Sequence, residues 1–134
     1  MKNRIYHFHP KDRCTSGITV VYDPDRVAFA VARCSSKDRF CRRTGVSICE
    51  TRLKTARMSD WVLHSSYVSY KNRVFSAENL GCTHVPDDID AVAFLLAELI
   101  VEQSSDSALQ GHLASHRPHI SEEIALRFRE GVGS

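Results

Sequence analysis

Two short runs of β-forming residues, separated by a strong turn signal, place the tightest constraint on how this chain can fold. The runs are Ile18–Tyr22 and Val27–Arg33, and the residues between them read Asp-Pro-Asp-Arg. Proline presets the first dihedral angle of a turn, and an aspartate side chain can accept hydrogen bonds from the backbone that follows it. The pattern therefore predicts an antiparallel β-hairpin.

A basic helix is predicted directly after the hairpin. Ser35 or Ser36 can cap it, and the helical pattern runs from about Lys37 to Arg52 or slightly beyond. One side of the helical wheel is mostly apolar and comprises Phe40, Cys41, Thr44, Gly45 and Ile48. The opposite side is mostly basic and comprises Arg39, Arg43, Ser47, Glu50, Lys54 and Arg57. We expect the apolar side to pack on the hairpin and the basic side to face solvent.

Two residues of this predicted helix need an explanation of their own. Gly45 costs about 1 kcal/mol of helix stability relative to alanine, and a close approach to the sheet would account for it. Arg52 falls on the apolar side of the wheel. Either the helix ends near Arg52, or the aliphatic stem of Arg52 passes along the core while its guanidinium lies outside.

The rest of the chain predicts further strands, a buried helix and a short terminal helix. Trp61–His64 and Tyr67–Phe75 are typical of one or two strands. Pro86 begins a helix whose first turn is acidic, as the positive end of a helix dipole favours. That helix is apolar almost all round over Ile89–Val101, so we expect it to be buried, either within the chain or in a homodimer interface. Ser121 caps the short C-terminal helix.

Together these elements predict an α+β fold in a single domain spanning residues 1–134. We expect an antiparallel sheet of three to four strands, with the basic amphipathic helix and the buried helix of the C-terminal half packed on it. The helices should lie largely on one face of the sheet. Residues 1–16 and 131–134 are expected to be irregular or frayed.

Composition indicates a cytoplasmic protein that does not enter a membrane. The first ten residues lack the apolar run of a signal peptide. The longest apolar stretch, Ala91–Val101, is interrupted by Glu98 and is shorter than the roughly 20 residues that span a bilayer. The five cysteines include no Cys-x-x-Cys pair, which favours free thiols in a reducing compartment.

The chain changes the sign of its charge about halfway along. Residues 1–75 contain fifteen Lys and Arg against six Asp and Glu, whereas residues 76–134 contain three against ten. A linear cluster of cations can bind the phosphates of a nucleic acid or the carboxylates of an acidic protein surface. The third possibility is a basic face that is only exposed to solvent. The candidate residues for binding a partner or nucleic acid are Arg33, Lys37, Arg39, Arg42, Arg43, Arg52, Lys54 and Arg57.

No catalytic motif is legible in the sequence, so we expect a protein that is not an enzyme and has no cofactor. His112 and His116 stand four residues apart, with His119 nearby, and on a helix two such imidazoles could share a divalent cation. A glycine and a proline interrupt the helical pattern there, which favours exposed loop histidines over a metal site. His7 and His9 would point the same way on a strand.

The segment Ala32–Leu53 carries a further pattern, in which a strand is followed by a helix with fixed polar and glycine positions. The residues that define it are Lys37, Asp38, Phe40, Arg42, Gly45, Ile48 and Arg52. In this spacing the segment resembles small uncharacterised phage and prophage proteins. Ser36, Cys49 and Thr51 stand where those proteins usually have Pro, Ala and Gly. The resemblance implies a mobile-element origin and a similar strand-to-helix unit, and no biochemical activity comes with it.

These observations lead to one functional hypothesis and two alternatives. The leading hypothesis is a non-enzymatic phage-type accessory protein that binds a host protein or nucleoprotein complex and inhibits a defence system, as an anti-CRISPR protein does. The first alternative is a protein that binds nucleic acid directly through the basic helix face, and the second is a small metal-dependent hydrolase. The chain would act in the host cytoplasm, as a monomer or as a homodimer through the helix over 89–101.

Overall fold

The computed structural model describes residues 2–55, 74–83 and 85–132. Within these ranges the strands are β1 (Arg4–Phe8), β2 (Thr15–Asp23), β3 (Ala28–Arg39) and β4 (Val74–Ser76). The helices are α1 (Arg42–Thr55), α2 (Pro86–Glu102), α3 (Ser107–Ser115) and α4 (Glu122–Gly131). The strands form one antiparallel sheet in the order β1-β2-β3-β4. The predicted α+β class with an antiparallel sheet is confirmed.

The predicted hairpin is formed by β2 and β3, and Asp23 holds its turn. Oδ1 of Asp23 accepts hydrogen bonds from the backbone N–H groups of Asp25 at 2.9 Å and Arg26 at 3.3 Å. Oδ2 accepts a hydrogen bond from the guanidinium of Arg26 at 2.7 Å. The aspartate therefore acts as the turn signal predicted. Val27 closes the turn with φ of 52°, a left-handed conformation that a β-branched residue rarely adopts.

The sheet separates a large core from a small one. On one face Ile18, Val20 and Val31 belong to the large core, to which α2, α3 and α4 all contribute. On the other face the small core joins the alanines of β3 to Cys49 and Leu53 of α1. Because β2 and β3 are apolar on both faces, both faces need covering. Helix α1 is thus the exception to the expectation that the helices lie on one face.

Helix α2 is the centre of the large core. Eleven of its 17 residues are buried, and it packs against β2, α3 and α4. Its first turn contains Pro86, Asp87 and Asp88, as predicted. The chain's own elements cover this helix, so its uniform apolar character does not require a second subunit. Of the helices in the described ranges, none has the length and apolar character needed to cross a membrane.

The basic helix begins at Arg42, so the predicted start at Lys37 is wrong. Strand β3 continues through Arg39, which pairs with Thr15 of β2. The next residue, Phe40, still donates its backbone N–H to the carbonyl of Cys14 at 2.9 Å. Pairing with β2 therefore outweighs the serine capping signal that precedes Lys37, and it extends the strand.

Helix α1 packs on the sheet through a different stripe of residues from the one predicted. Cys49 and Leu53 are buried, whereas Ile48 is 39% exposed. Gly45 lies against the sheet as expected, since a Cβ atom there would be 2.4 Å from Oγ1 of Thr19. The inner stripe is therefore Gly45, Cys49 and Leu53, with a spacing of four residues. The helical wheel predicted that Ile48 faces the sheet because Ile48 is hydrophobic. In the structure Gly45 and the thiol of Cys49 face the sheet instead, because α1 lies close to small residues of the sheet.

The N-terminal segment is more regular than expected, because β1 lies within residues 1–16. Strand β1 pairs with β2 from Arg4 opposite Tyr22 to Phe8 opposite Ile18. Its side chains also reach α2, where Asp90 accepts hydrogen bonds from the Arg4 guanidinium at 2.9 Å and from the Tyr6 hydroxyl. Pairing with the sheet and this link to α2 give the segment its order.

Two other predicted regions lie partly or wholly outside the described residues. The segment Trp61–His64 and residues 67–73 of the predicted strands are outside them, whereas Val74–Ser76 is β4. Residues 133 and 134 are also outside them. Gly131 is the last residue of α4, and a Cβ atom there would lie 2.1 Å from the carbonyl oxygen of Asn79. Close packing therefore reaches the end of α4, in place of the fraying expected from residue 131.

Candidate functional site

The junction of β3 and α1 brings three of the predicted basic residues together. Strand β3 ends at Arg39 and α1 begins at Arg42, so Arg39, Arg42 and Arg43 are close neighbours in the chain, and all three are exposed. We call these three arginines the basic corner. The residue between them, Cys41, occupies the N-cap position, because its carbonyl accepts the first helical hydrogen bond, from the N–H of Gly45 at 3.0 Å.

The helix dipole adds to the positive charge of the basic corner. The N-terminal end of a helix carries a partial positive charge, which acidic residues in the first turn usually offset. Helices α2 and α4 have two acids each in their first turns, whereas α1 has none. The local field also affects His7, whose pKa is lowered first by burial and then by the charge of Arg42.

Four arginines elsewhere in the fold are paired with carboxylates. The pairs are Arg4 with Asp90, Arg26 with Asp23, Arg117 with Glu98, and Arg127 with Asp88 and Glu123. In the part of the chain that the structure describes, no ion pair involves any of the three arginines of the basic corner. The described part of the fold therefore forms without ion pairs to these three side chains.

Two of the other predicted site residues lie on β3 and α1 outside the basic corner. Arg33 pairs with Ile18 of β2 and borders the cleft that opens between β3 and α1. Arg52 donates a hydrogen bond from its guanidinium to the carbonyl of Val31. Helix α1 continues past Arg52 to Thr55 and the guanidinium reaches a sheet carbonyl instead of lying outside, so neither explanation considered for Arg52 holds as stated.

Of the remaining predicted site residues, two lie on β3 and α1 and one is outside the described residues. Lys37 is exposed on β3. Lys54 is exposed in the last turn of α1, about 16 Å along the helix axis from Arg43. Glu50 is also exposed on α1 and interrupts the basic side between them. Arg57 lies outside the described residues. The positive charge is thus concentrated at the corner rather than spread along a helix face.

A cleft of about 310 Å³ opens between β3 and α1 beside the basic corner. Its neutral lining includes Ala32, Phe40 and the exposed side chain of Ile48. Arg33 and Arg39 also line it, and Asp38 is the one acidic residue among the described residues of the lining. The cleft therefore combines an apolar surface with a mainly cationic border.

Phe40 anchors the corner to the sheet. Its ring occupies the space over Gly17, where an added Cβ atom would lie 2.3 Å from the ring. The same ring stacks with His9 at a centroid distance of 4.6 Å and meets the edge of His7 at 5.9 Å. His7 and His9 therefore share one side of the sheet, as the sequence predicted, and serve as packing partners of this ring.

Cys41 is a functional candidate that the sequence did not reveal. The thiol is exposed, and hydrogen bonds from Thr44, first from its hydroxyl and then from its backbone N–H, lower its pKa. Burial has the opposite effect on Cys49 and Cys82, and raises the pKa of each to about 12. The sequence feature that indicates this thiol is the Cys-x-x-Thr spacing. It places Thr44 beside the Cys41 thiol at the start of a helix only if the helix begins at Arg42, which the sequence did not predict.

The C-terminal histidines include a pair on a helix that the sequence did not predict. Helix α3 is started by Asp106, whose side chain accepts the N–H of Leu109 at 3.1 Å, and His112 lies within it. The rings of His112 and His116 are 4.2 Å apart, while His119 follows the end of α3. Across the described ranges, no group of three or more His, Cys, Asp or Glu side chains could hold a metal ion.

Comparison with known proteins gives no match, since no family model, no curated protein and no solved structure is similar to this chain.

Proposed function

We propose that this chain is a non-enzymatic binding protein that captures a host protein or nucleoprotein complex through its basic corner. The observation that carries the proposal is the contrast among the arginines. Four arginines elsewhere pair with carboxylates of the fold and Arg52 donates to a backbone carbonyl, whereas the described fold supplies no ion-pair partner to the clustered Arg39, Arg42 and Arg43. An anionic partner would supply the missing carboxylates or phosphates.

The position of the three arginines suits an interface. They flank the acid-free N-terminus of α1, so the partial charge of the helix end reinforces theirs. An arginine fork binds a carboxylate through two parallel hydrogen bonds, which gives both strength and orientation. The exposed Ile48 nearby adds apolar surface of the kind that interface cores bury.

The biological context of the proposal comes from the resemblance of segment 32–53 to small phage and prophage proteins. Within that context the chain is an accessory protein that acts in the host cytoplasm and inhibits a defence system by occupying one of its components. A capture function of this type requires a stable docking surface and no catalytic group.

Direct binding of nucleic acid is the second candidate, and the exposed cations on α1 favour it. Arg43 and Lys54 lie on one side of the helix, about 16 Å apart along its axis, and could contact two phosphates separated along one strand. Exposed Glu50 lies between them, however, and Arg52 is engaged with the carbonyl of Val31. A backbone of phosphates following this helix would therefore meet a carboxylate partway along, which favours a protein partner.

Affinity capture from host lysate with and without nuclease separates the two candidates. We expect the tagged protein to retain the same protein partner in both arms. Retention that disappears after nuclease treatment would assign the surface to nucleic acid. Recovery of no partner in either arm would contradict the proposed capture function.

A further inference from the structure

We infer that the cleft between β3 and α1 receives an acidic protein segment in which an apolar side chain neighbours a carboxylate. This inference rests on the proposed function and specifies the partner at the same surface. The apolar side chain would enter the cleft, while the carboxylate would meet the basic corner.

The size of the cleft limits what can occupy it. At about 310 Å³ it lies at the lower end of the roughly 300–1,000 Å³ found for ligand pockets. A space of this size admits one or two side chains of an extended segment, and it is too small for a folded element. The occupant is therefore a short segment that inserts side chains.

The lining of the cleft selects an apolar side chain. Ala32 and Phe40 contribute hydrophobic surface, and Ile48 borders the cleft with 39% of its surface exposed. Ile48 is one of four exposed large hydrophobic residues in the described ranges, the others being Ile5, Val85 and Leu126. Unlike those three, it lines this cleft. Covering Ile48 with an apolar side chain removes both surfaces from water.

Charge complementarity selects an acidic segment rather than a nucleic acid. Arg39 lines the cleft, and Arg42 and Arg43 begin the helix beside it. The exposed carboxylates of Asp38 and Glu50 lie on either side of this cluster, one along β3 and one along α1. A polyanion that extends in either direction brings phosphates to one of them, whereas a short segment can place its one or two carboxylates at the basic corner and its uncharged atoms beside Asp38, which lines the cleft.

The test uses labelled eight-residue peptides and fluorescence anisotropy. One peptide has two adjacent Glu–Leu pairs flanked by Gly and Ser, a second of equal length and charge has Ser in place of each Leu, and an oligo-dT of eight nucleotides is the third probe. We expect the Glu–Leu peptide to bind tightest, and Ile48→Ala to weaken it by about tenfold, the effect of losing roughly two buried methyl or methylene groups. Leu126→Ala, which truncates another exposed residue, should leave binding unchanged.

His7 provides a second readout of where the carboxylate lies. Burial lowers the pKa of His7 and the charge of Arg42 lowers it further, so an anion seated at the basic corner should offset the second effect and raise that pKa. Titration of the His7 imidazole by NMR, with and without the Glu–Leu peptide, measures this shift. A pKa of His7 that the bound peptide leaves unchanged would contradict the assignment of the carboxylate to the basic corner.

The outcomes separate failure of this inference from failure of the proposed function. If Arg39→Glu, Arg42→Glu and Arg43→Glu together abolish peptide binding but Ile48→Ala has no effect, the capture surface stands and the cleft is not its receptor. If the charge reversal also has no effect, both fail. Absence of binding by the Glu–Leu peptide, or tighter binding of oligo-dT than of that peptide, overturns the inference of an acidic segment.

Discussion

At the scale of the residue, the chemistry of Cys41 depends on where α1 begins. With the helix starting at Lys37, Cys41 would lie inside it; with the helix starting at Arg42, the thiol lies at the N-cap position. There it is exposed and accepts hydrogen bonds from Thr44, which lower its pKa. The identity of the residue is known from the sequence, but its reactivity depends on this placement.

Replacing Thr44 with valine should raise the pKa of the Cys41 thiol and slow its alkylation at neutral pH. The hydroxyl of Thr44 is the largest cause of the lowered pKa, and valine removes it while keeping the side-chain shape. The rate of iodoacetamide modification of Cys41, followed by mass spectrometry across pH, measures the effect. Thr44→Ser retains the hydroxyl and should retain the wild-type profile. Identical profiles for the valine variant and the wild type would contradict this account of the thiol.

Asp23 gives a prediction for the pH dependence of stability. Burial raises the pKa of Asp23, but the hydrogen bonds from Arg26 and Asp25 outweigh burial and lower it overall. A lowered pKa in the folded state adds stability that is present above the ordinary pKa of about 4 and is lost as pH falls through the folded value. The wild type should therefore have a higher free energy of unfolding than Asp23→Asn at neutral pH, and this difference should decrease in acid.

Urea unfolding at pH 7 and at about pH 2.5 measures this difference. Asparagine keeps an oxygen that can accept the backbone N–H groups of the turn, so the comparison isolates the charged contact with Arg26. Asp23→Ala removes both kinds of contact and should cost about 1–2 kcal/mol at neutral pH. A difference between wild type and Asp23→Asn that is independent of pH would contradict the assignment.

At the scale of the element, substitution of glycine by alanine should have opposite effects on stability at two helical positions. Gly45→Ala should destabilise the protein by about 1–3 kcal/mol, because the new Cβ atom would lie 2.4 Å from Oγ1 and 2.9 Å from Cβ of Thr19. Gly111→Ala should stabilise it by up to about 1 kcal/mol, because no atom lies within 4 Å and alanine favours helix α3. Urea denaturation of both variants should therefore give shifts of opposite sign. Stabilisation by Gly45→Ala would show that α1 does not approach the sheet as described.

The elements that were predicted correctly are those in which local and tertiary preferences agree. The Asp23 turn, the start of α2 at Pro86 and the Ser121 cap of α4 each have a local signal that the fold preserves. The start of α1 was wrong because pairing with β2 outweighs a local capping signal. Helix α3 was missed because Gly111 was interpreted as an interruption, whereas Asp106 caps a helix that continues through it.

The candidate site was only partly predictable for the same reason. Charge density identified Arg39, Arg42 and Arg43 without any structure, since a dense basic run is visible in the sequence. The use of Arg52 inside the fold and the cleft beside Ile48 depend on which side of α1 meets the sheet. That orientation is set by the fit of Gly45 against Thr19, which a helical wheel based on hydrophobicity does not contain.

At the scale of the whole molecule, the charge asymmetry of the sequence becomes a division of roles. Carboxylates of the acidic half pair with arginines and join distant parts of the fold: Asp90 meets Arg4 of β1, and Asp88 meets Arg127 of α4. The basic corner lies at the start of α1, the helix on the opposite face of the sheet from α2 and α4, and receives no such partner within the described residues. Acidic side chains therefore link elements of the fold, and the basic corner is the surface that we propose for capture.

The most direct test is the affinity of the captured partner for a variant in which the charges of the basic corner are reversed. Arg39→Glu, Arg42→Glu and Arg43→Glu together should weaken binding by more than about a hundredfold, since charge-assisted hydrogen bonds contribute on the order of 1.5–3 kcal/mol each. The thermal unfolding temperature should change little, because the described fold pairs none of the three. Lys2→Glu with Lys11→Glu, a reversal at two exposed lysines elsewhere, should leave affinity near that of the wild type. Wild-type affinity in the corner variant would contradict the central claim.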